Sequence, residues 1–216
     1  MDRGDLATTA RLHHDIMPDV FITRFGVKVL RQYHLAFASS PYAIALVATP
    51  SDGNRPIGFL LAAIDPASHY RYLVRHHGLQ LAALVAAHLV SDPGLASELI
   101  RTRARRYASA VWRVLRPASS PAGVNGSLTD AVTEPRTSEL VDVAVEPAWR
   151  SSGIGASLVR ACEEVARGSG SERIELVTPP GDSGAGRFYE RLGWHAVREL
   201  DSRSNEHFVL YRRELP

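Results

Sequence analysis

The chain has 216 residues, a formal net charge of +2, 45% hydrophobic and 22% charged residues. These are the values of an ordinary globular protein, and they leave no whole-molecule field to draw in nucleic acid. The single cysteine, Cys162, excludes an intrachain disulfide and a multi-cysteine metal site.

The N-terminal stretch MDRGDLATTARLHHD is polar and lacks the apolar core of a secretion signal. The longest apolar stretch, residues 78–90, is interrupted by Gln80 and His88 and is too short to span a bilayer. A cytoplasmic protein is therefore expected, with no stable membrane insertion, no nucleic-acid partner and no metal. Lys28 is the only lysine among 25 basic residues, a skew that GC-rich codon usage produces.

Residues 6–17 read as a helix that ends at Pro18. A second helical stretch covers residues 21–38, with Ile22, Phe25, Val29, Tyr33 and Phe37 on one apolar face. Gly26 is placed to split it. Residues 42–48 and 56–64 are apolar runs separated by the turn sequence Ser51-Asp52-Gly53-Asn54, and they predict a hairpin. Residues 66–117 look helical. Their apolar portion, 78–90, suits a buried helix, with a dimer or lipid-facing surface as the alternative. The run 101–116 holds six arginines and no acid. Residues 118–136 are rich in Ser, Pro, Gly, Thr and Asn and predict a loop.

Regular structure resumes with a strand at 140–145, a helix at 153–167 and a strand at 173–177. A helix at 183–192 and strands at 194–200 and 206–213 follow. The order predicts an α+β, mixed α/β layered fold. The adjacent pairs His13, His14 and His76, His77 diverge on a helix and read as surface or core residues rather than metal ligands.

The chemistry concentrates in VDVAVEPAWRSSGIGASLVRACEEVA, where a strand runs through Pro147 into a glycine turn and then into an amphipathic helix. The first turn of a helix leaves backbone N–H groups without partners, the helix dipole adds positive charge, and glycines let a ligand approach. Such a turn suits a phosphate or pyrophosphate. It is neither the dinucleotide pattern, since Leu158 stands at the third glycine position, nor a phosphate loop ending in Gly-Lys-Ser/Thr.

Arg150-Ser151-Ser152-Gly153-Ile154-Gly155-Ala156 resembles the Arg/Gln-x-x-Gly-x-Gly/Ala signature of the GNAT acetyltransferase superfamily, with Val145-Glu146-Pro147 just before it. Phe188-Tyr189-Glu190-Arg191-Leu192-Gly193-Trp194 is similar to the superfamily's F-Y-x-x-x-G-F/W signature. The resemblance covers residues 139–213 well and 6–64 in outline. It implies one GNAT-like domain over residues 1–216, a central mixed sheet flanked by helices. Residues 66–136 form a helical insertion plus loop between the third and fourth family strands, and the family's first strand is nearly absent.

The resemblance also implies roles. The backbone of Ser151, Ser152, Gly153, Ile154, Gly155 and Ala156 would bind the pyrophosphate of acetyl-CoA, with Arg150 adding charge. The main chain of Val143, Ala144 and Val145 would bind the pantetheine arm, beside a next strand that splays away. Tyr189 is the candidate acid that protonates the leaving thiolate. Glu139 is the candidate base for the amine, with Asp142 as a competitor on the opposite face by strand alternation. Asp182 stands where many members carry an asparagine that contacts the cofactor, and it suits a helix cap equally well.

The implied function is transfer of an acetyl group from acetyl-CoA to a primary amine of a small molecule such as an amino sugar, amino acid or antibiotic-like compound. Protein lysine or N-terminal acetylation and non-catalytic acyl-CoA binding are the alternatives, and a homodimer is compatible with all three. A pocket closed by the insertion would favour the small molecule, and an open groove the protein.

Overall fold

The computed structural model describes all residues except 52, 54, 103–134, 182–183 and 202–206, with backbone alone for 98–102 and 201. The arginine-rich run from residue 103 onward and the expected loop as far as residue 134 therefore lie outside the described residues, as does Asp182.

The N-terminal helices follow the sequence pattern. Helix α1 (Leu6–Ile16) stops before Pro18, and α2 spans Gly26–Ser39. Residues Phe21–Phe25 form a 3₁₀ turn, and Gly26 adopts φ 81°, a left-handed value that costs glycine nothing, to start α2 in a new direction. Strands β1 (Ala43–Ala48) and β2 (Gly58–Ala63) form the expected antiparallel hairpin.

Helix α3 (Pro66–Ser91) opens with an Asp65 side chain that accepts from the Ser68 amide at 3.1 Å and a proline at the first turn. It runs unbroken through Gly78 and is followed by α4 (Pro93–Thr102). The expectation of a buried helix at 78–90 is not met. Among the described residues of α3 only His69 and His77 are buried, and Leu79 and Val90 are 86% and 84% exposed. The helix is apolar nearly all round, so its composition could not reveal which face packs. Leu81, Leu84, Val85 and Leu89 rest against Phe25, Val29 and Leu95, and the opposite face points outward.

Strand β3 (Thr137–Val145) starts three residues earlier than expected. The reason is non-local: Thr137, Ser138 and Glu139 pair in parallel with Arg173, Ile174 and Glu175 of β4 (Arg173–Thr178). Helix α5 (Ile154–Gly168) connects the two strands. Helix α6 (Gly186–Arg191) and strands β5 (His195–Asp201) and β6 (His207–Glu214) complete the chain. The sheet order is β1-β2-β3-β4-β6-β5, antiparallel except between β3 and β4.

Two cores cover the two faces of this mixed sheet. On one, Leu158, Val159, Cys162 and Ala166 of α5 pack on Leu60, Ala62, Leu140, Ile174 and Leu176. On the other, Leu12 and Phe37 of the first two helices pack on Phe59, Leu61 and Ala144. Among the described residues, no helix is long and apolar enough to cross a membrane.

Three imidazoles of the helical layer are wholly buried. His13 Nδ1 meets His34 Nε2 at 3.0 Å, and His34 Nδ1 meets Thr9 Oγ1 at 3.0 Å. His69 lies on the Phe37 ring at 4.1 Å, and neither of its ring nitrogens has a partner. Burial, followed by a neighbouring imidazole, lowers His13 to about 4, His34 to about 3 and His69 to about 4. The unfolded chain therefore binds protons that the folded chain refuses. This stability is full above the ordinary histidine value of 6.5 and is lost as the pH falls from there toward 4. His69→Phe keeps the ring contact and removes the titration. Between pH 6.5 and 5 the wild type should lose up to about 2 kcal/mol more than this variant, measured by denaturant unfolding at each pH.

Candidate active site

Beyond β3 the chain makes a 3₁₀ turn at Pro147–Trp149, then bends sharply into α5. Ser151 has φ 63°, the one non-glycine residue among those described with a positive value, and Gly153 has φ 87°. A Cβ on Gly153 would face open space, so the glycine is required by backbone angle rather than by crowding. No side chain caps α5, and its first turn carries no acid. The first helical bond runs from the Ser157 amide to the Gly153 carbonyl, and the amides of Ser151, Ser152, Gly153, Ile154, Gly155 and Ala156 find no acceptor among the described residues. Six successive unpaired N–H groups at the positive end of a helix form a cradle that fits a phosphate or pyrophosphate.

The side chains around the cradle hold its shape. Ser152 Oγ donates to the Trp149 carbonyl at 2.6 Å, and Arg150 Nε donates to the Val145 carbonyl at 3.3 Å. Arg150 thus folds back on the last carbonyl of β3, the edge expected to meet pantetheine. Val143, Ala144 and Val145 pair with Leu60, Phe59 and Gly58 of β2 on one side only. Their other edge is open, because the parallel ladder with β4 ends at Glu139 and Glu175.

The second signature reaches the same place. A Cβ on Gly155 would sit 3.4 Å from the Phe188 ring, so the glycine turn and α6 pack directly against each other. Tyr189 follows, 3% exposed, among Phe188, Trp194 and Tyr211 at ring distances of 5.0, 5.4 and 6.4 Å. Burial, then the charge of Asp142 and then Cys162, raise its hydroxyl well above the ordinary tyrosine value.

The carboxylates of β3 require a correction. Strict alternation puts Glu139 and Asp142 on opposite faces, but β3 carries a bulge. Leu61 pairs with Asp142 and Ala62 with Leu140, which leaves Val141 as the extra residue. Leu140 and Val143 therefore both pack toward α5, whereas Val141 and Ala144 pack toward the first two helices. Glu139 and Asp142 come together on the latter side, where Tyr33 of α2 feels both charges.

Tyr70 of α3 donates to Glu139 Oε2 at 3.3 Å. Asp142 is 6% exposed and faces Tyr33, and its carboxyl is pushed up to about 7 by burial, with Glu139 adding and the Tyr33 contact opposing. Glu139 is raised by burial and by Glu175, against the bond from Tyr70. Tyr33 and Tyr70 are raised in turn, by burial first and then by these carboxylates.

Sequence reasoning missed both tyrosines as site residues. Tyr33 was legible only as one more member of an apolar helix face, and Tyr70 lies on α3, outside both signatures. Among the described residues no group of three metal-ligating side chains converges.

Residues 119–194 match the family model described as the acetyltransferase (GNAT) family. None of the curated proteins matches the chain in sequence. Solved structures share its fold. Arabidopsis thaliana NAA60 in complex with acetyl-CoA is 15% identical over 100% of this chain and 96% of that one, with a TM-score of 0.57. An aminoglycoside 6'-N-acetyltransferase complexed with coenzyme A is 14% identical over 99% and 91%, with a TM-score of 0.56. A GNAT-family acetyltransferase from Desulfovibrio desulfuricans is 17% identical over 96% and 92%, with a TM-score of 0.52. The family match lies on the strand, cradle and tyrosine described above, so residues 119–194 are similar to a GNAT-family acetyltransferase domain and the chain shares the fold of these acetyltransferases.

Proposed function

We propose that the protein transfers an acetyl group from acetyl-CoA to the primary amine of a small molecule, such as an amino sugar, amino acid or antibiotic-like compound, by direct attack in a ternary complex. The observation that carries the choice of acceptor is the Tyr70–Glu139 hydrogen bond at 3.3 Å. It ties the inserted helix α3 onto the carboxylate side of the sheet, so the insertion walls the place where an amine would enter. A wall of this kind suits a small acceptor better than a protein surface.

Bound acetyl-CoA supplies the thioester, and the chain's own residues do the rest. The amides of Ser151 to Ala156 hold the pyrophosphate, and the open edge of Val143, Ala144 and Val145 aligns the pantetheine arm. The acceptor arrives as an ammonium ion and is attracted to Glu139 and Asp142. Glu139, the less buried of the two, takes its proton, and Asp142 behind it keeps the local demand for a proton high. The freed nitrogen bonds to the acetyl carbon as the carbon–sulfur bond breaks. Tyr189 gives its proton to the departing thiolate, a proton that its buried hydroxyl holds at neutral pH, and the second proton shed by the acylated nitrogen passes through water and restores the Tyr189 hydroxyl.

The proposal is tested by thiol release from acetyl-CoA against a panel of amino sugars, amino acids, other small amines and peptides. Turnover with one class of small amine supports it. Turnover confined to peptides would replace it with protein acetylation, and tight acetyl-CoA binding without turnover on any amine would replace it with a binding role.

Tyr189→Phe should lower kcat by roughly a hundredfold while acetyl-CoA affinity stays within about twofold, since one positioned proton donor contributes on that order. A second expectation concerns pH. Glu139 must lose its proton to work, so kcat/KM should rise with pH along a limb displaced above the ordinary carboxylate range by burial and by Glu175. That limb should keep its position for acceptors of different amine basicity and should move to lower pH in Asp142→Asn. A limb that instead tracks the amine would show that the carboxylates are not the base. In a third test, Gly153→Val forces a branched side chain into a left-handed backbone position. It should weaken acetyl-CoA binding by more than about tenfold in calorimetric titration, because distorting the turn by even 1–2 kcal/mol misaligns the amides.

A further inference from the structure

The second signature ends on Trp194, where its pattern allows phenylalanine or tryptophan. A tryptophan there brings a ring N–H that can only donate, and a buried N–H needs an acceptor. Trp194 is 2% exposed, and its Nε1 donates to Glu163 Oε1 at 2.8 Å. Glu163 is itself buried, on the face of α5 that otherwise carries Leu158, Val159, Cys162 and Ala166. An acid on the core face of an amphipathic helix is costly unless it is hydrogen-bonded. Each residue therefore supplies what the other needs.

The bond bears on Tyr189. The Trp194 ring packs on the Tyr189 ring at 5.4 Å. The amides of Leu192 and Trp194 both donate to the Tyr189 carbonyl, at 2.9 and 3.0 Å. Tyr211 flanks Tyr189 at 6.4 Å and is tethered by its own polar end, which donates to Glu190 Oε1 at 2.9 Å. Phe188 lies on a third side at 5.0 Å and packs against Gly155. Among the described residues the Tyr189 hydroxyl has no hydrogen-bond partner, and burial and nearby charge alone set its acidity. Its direction is therefore set by the rings around it, and each ring with a polar end is pinned by a glutamate.

We propose that Glu163 is a positioning residue for acetyl transfer: by holding the Trp194 indole it fixes the Tyr189 ring and so aims the hydroxyl at the departing sulfur. The inference rests on the reading of Tyr189 as the acid. It adds a residue outside both signatures, on the buried side of the helix that carries the cradle.

The test is thiol release from acetyl-CoA in Glu163→Met, which keeps the chain length and removes the acceptor. kcat should fall by roughly tenfold, because small misplacements of a catalytic group are felt strongly, while acetyl-CoA affinity in calorimetric titration stays within about twofold. Glu163→Asp withdraws the oxygen by one methylene and keeps the acid. It should show the same split, and it serves if Glu163→Met does not fold. Glu163→Gln, whose amide oxygen still accepts, should remain within about twofold of the wild type. Adding Trp194→Phe to Glu163→Met removes the orphaned N–H and should restore kcat to within about threefold of the wild type. Tyr189→Phe gives a readout that a merely structural role would not share: in that background Glu163→Met should change kcat by less than about twofold. A further tenfold drop there would overturn the proposal. So would full activity in both Glu163→Met and Glu163→Asp, or a loss that Trp194→Phe does not repair. Loss in Tyr189→Phe with none in the Glu163 variants defeats this inference alone, whereas undiminished kcat in Tyr189→Phe defeats the reading beneath it as well.

Discussion

Past Glu139, β3 and β4 share no ladder. Three residue pairs hold them in parallel at Thr137–Glu139, and from Leu140 onward the two strands part. Backbone groups buried without partners are costly, so an open edge in the middle of a sheet has to be satisfied by something that is not protein. The glycine turn follows at the end of that edge, and its six unpaired amides continue the line of unsatisfied groups. The split in the sheet and the cradle therefore form one continuous polar track, which suits a long molecule with an amide-bearing arm and a phosphate group. Tyr189, the only buried residue of α6, packs among Phe188, Trp194 and Tyr211.

The bulge at Val141 acts on the other side of the same strand. One extra residue reverses the alternation, so two carboxylates three residues apart face the same layer. Their proximity is unfavourable, and the structure answers with two tyrosine hydroxyls. Tyr70 reaches Glu139 from the inserted helix, and Tyr33 faces Asp142 from α2. A carboxylate pair kept partly protonated at neutral pH accepts a proton more readily than two isolated surface acids would.

How much of this could be read from the sequence depends on how far apart the interacting residues lie. The glycine turn and α5 were legible because their determinants are local: Pro147, Gly153, Gly155 and an amphipathic helix within a short span. Tyr189 was legible because its neighbours form a compact signature. The strand boundary at Thr137 was not, since it is set by pairing with Arg173, and the bulge was not, since it is set by β2. Tyr70 meets Glu139 across a sequence separation of 69, which no local pattern encodes. Residue type was misleading in α3, where an apolar composition pointed to burial and the helix instead shows solvent its alanines, Leu79 and Val90.

The insertion then has two faces with different consequences. Its first turns are tied to the sheet and to α2: Tyr70 bonds to Glu139 of β3, Tyr72 donates to the Ser39 carbonyl at 3.0 Å, and His77 meets Gln32 and Ser39 at 2.9 and 3.1 Å. Its later turns rest on Phe25 and Val29 and reach outward. The helix runs unbroken through Gly78, so its outer half and the turn that carries Tyr70 belong to one continuous helix. The strand edge and glycine turn proposed to hold acetyl-CoA lie at the far end of β3 and at the start of α5, away from the Tyr70–Glu139 bond. On the proposed reading, changes in α3 should therefore be felt by the acceptor through Glu139 and leave the cradle at Gly153 as it is.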